Sequence, residues 1–141
     1  VVTNAPRNVP WYLPERATGL LVGYLGSNPD YQPYGLQKFE WNPDAQILEY
    51  AWVNKDISSP SSVPTVGILS DRVYFIGARD NEFTLEALNW TSGDADFHYV
   101  IGGQRYNVMY SGTSIDEDGR IHYGTPWGRV RLIPDDNGAE D

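Results

Sequence analysis

The sequence predicts an all-β protein, and three observations carry that prediction. Apolar residues alternate at period two in short runs, as side chains do on a pleated strand. Clusters rich in Gly, Pro, Asn, Asp and Ser separate the runs, among them Asn42-Pro43-Asp44, Ser92-Gly93-Asp94 and Asp118-Gly119. No stretch long enough for a helix carries a 3.6-residue apolar period. Read in order, the strands are expected at Leu20–Gly26, Gly35–Trp41, Ile47–Asn54, Ser62–Leu69, Arg72–Ala78, Glu82–Trp90, Asp96–Ile101, Val108–Ile115, Arg120–Gly124 and Arg129–Ile133.

A repeat organises these strands. Shifted by 49 residues, Leu36 falls on Leu85, Trp41 on Trp90, Tyr50 on Tyr99, Ser62 on Ser111, Thr65 on Ser114, Val66 on Ile115 and Tyr74 on Tyr123. With a shift of 47, Phe83 and Leu85 then meet Val130 and Leu132, so a third copy begins. A unit of about 45–50 residues holding four short antiparallel strands is the signature of a β-propeller blade. Apolar residues occupy both parities of several strands: Phe83 and Leu85 lie on one face, Leu88 and Trp90 on the other. Such sheets must be covered on both sides, as stacked blades are. A β-sandwich is the alternative fold.

Length then becomes informative. At 141 residues the chain holds fewer than three such units, whereas a ring closes with four to eight blades. The expectation is a partial ring, completed by a second polypeptide or by further copies of this chain. Residues 1–18 read as a non-repeat N-terminal arm, 19–134 as blades and 135–141 as an acidic tail. The chain begins Val-Val-Thr with no initiator Met or signal peptide, which suggests a processed product or a piece of something longer, with a secreted or periplasmic setting favoured.

Composition narrows the chemistry. There is no cysteine, which excludes disulfides, thiol catalysis and cysteine-held zinc. The net charge is −9, and four of the acids lie in the tail, so the body carries about −5, a solubilising balance that argues against nucleic acid. No apolar run approaches the roughly 20 residues of a membrane-spanning helix. The two histidines, His98 and His122, stand in predicted strands and read as surface residues of a blade. The sequon Asn89-Trp90-Thr91 falls at a strand end and reads as structural, with Trp41 and Trp90 as packing anchors. Ligands in propellers sit at one mouth of the axial channel, reached here from the segments before the innermost strands Ser62–Leu69 and Val108–Ile115. That singles out Arg105, Asn107 and Tyr110. Trp127 and Arg129, in and beside the Pro126-Trp127-Gly128 loop, suit a partner contact or the stacking of a sugar. Trp11 and Tyr12 in the arm read as an interface.

The segment Ser114–Thr125, Ser-Ile-Asp-Glu-Asp-Gly-Arg-Ile-His-Tyr-Gly-Thr, resembles the D-x-D-G-R turn between the first two strands of blades in six-bladed propellers of the gluconolactonase, strictosidine-synthase and quinoprotein-like group. Arg105-Tyr106-Asn107 is similar to the segment that places a calcium-binding asparagine on the axis in the gluconolactonase family, although no Asp follows Asn107 and the spacing to Gly119 is longer. The resemblance implies a ligand-binding funnel. It also implies a calcium-dependent hydrolase or lactonase-like alternative, with Ca²⁺ held in part by Asn107 and with Arg105 in the site. A third reading is a glycan-binding repeat protein that uses loop aromatics.

Overall fold

A computed structural model describes residues 2–5, 35–57, 62–80, 82–108 and 111–133. Those residues form an all-β structure of three antiparallel sheets. The first sheet holds β1 (Val2–Ala5), β2 (Gly35–Asn42) and β3 (Ile47–Asn54) in that order. The second is a four-stranded meander of β4 (Thr65–Gly67), β5 (Arg72–Arg79), β6 (Glu82–Asn89) and β7 (Ala95–Gly102). The third holds β8 (Thr113–Ile115), β9 (Ile121–Thr125) and β10 (Gly128–Leu132). The only helical turns among the described residues are 3₁₀ turns at Ile68–Ser70 and Gln104–Tyr106.

Nine of the expected strands appear within a few residues of their expected ends, and Leu20–Gly26 lies outside the described residues. Two corrections concern the inner strands: Ser62–Leu69 contracts to β4 and Val108–Ile115 to β8. Serine hydroxyls take over where the ladders stop. Ser62 Oγ accepts the Ile76 N–H at 3.0 Å, and Ser111 Oγ accepts the Gly124 N–H at 3.2 Å. The two serines are one repeat apart and satisfy backbone donors that the shortened strands leave open.

The core lies between the sheets. Val73, Phe75 and Leu88 pack with Leu36, Trp52 and Ile57 of the first sheet side. Tyr74, Ile76, Phe83, Leu85 and Ala87 pack with Val108, Ile121 and Tyr123 toward the third. Alternate residues of β5 and β6 therefore point in opposite directions, and both directions are buried, as the apolar double parity requires. The face of each sheet turned toward the later sheet is called here its front, and the other its back. The front of the first sheet packs on the back of the second, and the front of the second on the back of the third.

Pairing register fixes which residues are equivalent. Asn42 and Asn89 both end a strand, and each accepts two backbone N–H groups on Oδ1, from Asp44 and Ala45 and from Thr91 and Ser92. Hence Trp41 corresponds to Leu88. The pairs Val66–Val73 and Ile115–Ile121 correspond, which places Tyr123 on Phe75 and His122 on Tyr74. The expected matches of Trp41 with Trp90 and of Tyr74 with Tyr123 are thus corrected by two residues and one residue. The β9–β10 hairpin is shorter than β5–β6, and between those corresponding pairs the β8–β9 turn is one residue shorter than the β4–β5 turn, so no single shift fits every strand.

Trp90 is a turn residue. Its carbonyl accepts from Trp52 Nε1 at 3.1 Å and Lys38 Nζ at 3.2 Å, and the Lys38 ammonium lies 4.2 Å from its ring centre. The Trp90 turn thereby fastens the second sheet to the first. Gly93 in this turn has φ +81°, and an added Cβ would lie 2.5 Å from Trp52 Cδ2, so only glycine fits beneath that indole. Trp41, by contrast, is 59% exposed on the back of β2.

Candidate functional site

Antiparallel topology sorts the connections to two ends of the stack. The β5–β6 and β9–β10 hairpins share one end with the segment that follows β7. Arg105, Asn107 and Trp127 therefore come to the same end. Trp127 occupies the tip of the β9–β10 hairpin, where Thr125 Oγ1 accepts its N–H at 3.2 Å and the indole is 71% exposed. Arg105 is exposed in the 3₁₀ turn. Asn107 is buried at the end of that turn, its N–H donating to the Gln104 carbonyl at 3.1 Å. Among the described residues no group of three or more His, Asp or Glu is placed to hold a metal ion, so these residues bring Asn107 no cluster of the carboxylates that calcium sites draw on. Tyr110, Trp11 and Tyr12 lie outside the described residues.

Close to this end, the Tyr123 hydroxyl is buried with no hydrogen-bond partner among the described residues. Burial pushes its ionisation well above the ordinary tyrosine range, with a smaller contribution from Tyr106. Gly102, at φ +136°, lets the Tyr106 ring approach: a Cβ there would lie 2.9 Å from Tyr106 Cε2.

The front of the third sheet carries a polar chain that the sequence did not announce. Asp116 uses Oδ1 to accept the Asp118 and Arg120 N–H groups, closing the β8–β9 turn as its turn chemistry predicted. Its Oδ2 lies 2.9 Å from His122 Nε2, and Arg129 Nη2 lies 2.9 Å from His122 Nδ1. A guanidinium can only donate, so Nδ1 is the acceptor and Nε2 carries the proton donated to Asp116. The His122 bond is the largest cause that holds the Asp116 carboxyl below the usual aspartate range, with the Arg120 and Asp118 N–H groups assisting. Arg120 pairs with Asp118 and reaches Asp116 at 3.7 Å. His122 is therefore a buried positioning group, not the surface residue expected; His98 is exposed on β7 as expected. One signal could have exposed the chain: an Asp six residues before a His across a predicted hairpin.

Two further polar networks are structural. Glu86, 1% exposed, accepts two bonds from Arg79, at 2.7 and 2.8 Å, and one from Thr84 at 2.6 Å. The Asn89 side chain is fully engaged: besides its two accepted N–H groups, Nδ2 donates to Asp71 Oδ2 at 3.0 Å, so the sequon serves the turn. Beside it, Ser70, Arg72, Asn89, Ser92, Asp94 and Asp96 line an open polar cleft of about 350 Å³ at the opposite end of the stack from Trp127.

No family model matches the chain, and no solved structure matches it. It is similar to an uncharacterized protein of Archaeoglobus fulgidus, 37% identical over 121 residues, or 85% of this chain. The match spans 23% of that protein, so this chain covers about a quarter of its relative's length.

Proposed function

We propose that the three sheets are successive blades of a β-propeller, and that this chain contributes them to a larger assembly whose axial mouth binds a ligand. The observation that supports this most directly is the consistent packing of front on back across the sheets. A two-layer sandwich buries one face of each sheet, whereas the second sheet here is buried on both. Supporting it further, Val63 and Gly112, which immediately precede the inner strands, form a parallel bridge, and Thr65 Oγ1 donates to the Thr113 carbonyl across the same gap. Inner strands running side by side in one direction are what a ring of blades around a channel requires. Three blades do not close such a ring, and a relative about four times as long has chain enough for the rest.

In this reading the funnel mouth is the end that carries Arg105, Asn107 and Trp127. The exposed Trp127 indole offers a flat apolar surface to a sugar or aromatic ligand. The deciding experiment is an experimental structure of the assembled protein. Blades radiating about a common channel, with β4 and β8 innermost, are the expected result; a closed two-layer sandwich would overturn the reading. Binding on a glycan array, lost in Trp127→Ala, is the expected outcome if the ligand is a sugar.

A further inference from the structure

The two ends of the stack are chemically unlike, and the front of the third sheet has an internal precedent. Register places Arg129 on Leu85 and Leu85 on Lys38, so Arg129 stands where the first sheet carries its own cation. Lys38 is 6% exposed because the second sheet's outer turn closes over it, giving it the Trp90 carbonyl and the Trp90 ring. Arg129 is exposed, held upright by His122, with no carboxylate partner among the described residues. Arg131, on the same face, is also exposed and makes no ion pair among them.

We infer that this front face seats a further sheet of the same repeat, and that Arg129 is its anchor. The incoming sheet offers Arg129 a backbone carbonyl from its outer turn and an aromatic ring beside it, as the Trp90 turn does for Lys38. Arg suits the role, since its planar guanidinium can stack on a ring while its remaining N–H groups donate. Asp116 and His122 set its direction. The inference rests on the propeller reading and adds to it the chemistry of the next contact.

Arginine labelling with phenylglyoxal, read by mass spectrometry, tests this on residues 1–141 alone and on the full-length product of the gene. The expected result is Arg129 modified about tenfold more slowly in the full-length product, with the exposed Arg105 as reference, because a contact of this kind protects the group it buries. Equal rates overturn the inference, and so does a full-length product no longer than these residues in which Arg129 stays reactive. Protection that appears only as residues 1–141 are concentrated would place a second copy on the face and would overturn it too. A ring confirmed by structure together with an unprotected Arg129 removes this inference alone; a sandwich removes the propeller reading itself.

Discussion

The second and third sheets share a topology and much of a sequence pattern, yet their front faces differ completely. The second presents Tyr74, Ile76, Phe83, Leu85 and Ala87, all sealed by the third sheet. The third presents His122, Arg129 and Arg131 at the positions of Tyr74, Leu85 and Ala87. A repeated backbone thus does not fix the chemistry of a repeated surface. The interior interface is held by the burial of apolar area, whereas the front of the third sheet is organised by hydrogen bonds that orient an exposed cation.

The back faces give the same contrast, and they give the largest effect with which to break it. Leu88 is fully buried, whereas its counterpart Trp41 is mostly exposed. Leu88→Ala is expected to cost about 2–5 kcal/mol and Trp41→Ala less than about 0.5 kcal/mol, as cavity formation applies only to the first. Urea unfolding of both variants checks this; equal losses would mean that the back of the first sheet is covered in the isolated chain.

Next in size is the ion pair inside the first interface. Glu86→Gln removes the charge opposite Arg79, and because Arg79 is partly exposed the expected loss lies near the low end for a broken buried pair, about 3 kcal/mol. Glu86→Leu with Arg79→Leu should recover most of that in a double-mutant cycle. If it does not, the network matters for more than charge pairing.

The front of the third sheet should announce itself through acid. Asp116 has a lowered folded value, so the native state binds fewer protons than the unfolded one near the ordinary aspartate value of about 3.9. Its contribution is therefore present above that value and is lost as pH falls through the lower, folded one. Unfolding midpoints measured from pH 5 down to 2 should fall less steeply in Asp116→Asn and in His122→Ala than in the parent chain. Identical slopes would separate His122 from Asp116.

The smallest effect belongs to Tyr123. Its hydroxyl is buried without a partner among the described residues, so Tyr123→Phe should leave stability unchanged or raise it by up to about 1 kcal/mol. A thermal melt decides the sign, and a marked loss would show that the hydroxyl has a partner in solution.

Much of this was legible in the sequence. Strand positions followed from period-two patterning, and the serine pair Ser62 and Ser111 stood one repeat apart before their matching hydrogen bonds were visible. The alignment of Trp41 with Trp90 misled, because residue identity outweighs a hairpin's length in a sequence comparison and only the ladder counts residues strand by strand. That Arg105, Asn107 and Trp127 share one end follows from the antiparallel topology, which the residue spacing alone does not state. The Asp116–His122–Arg129 chain was missed because its members meet across a turn and a hairpin, and only the six-residue spacing of Asp116 and His122 hinted at it.

The sequence by itself determined that this chain makes short antiparallel strands, apolar on both sides, in a repeated order. Alternation and turn residues act locally, over one strand and its neighbours, and so can be read along the chain. Tertiary structure alone decided which residues are equivalent, which faces are sealed and which cation is held by His122 on an open face. Those properties depend on hairpin lengths and on what packs opposite each face: Leu88 and Trp41 hold the same place in their sheets, and only the presence of a neighbouring sheet makes one core and the other surface.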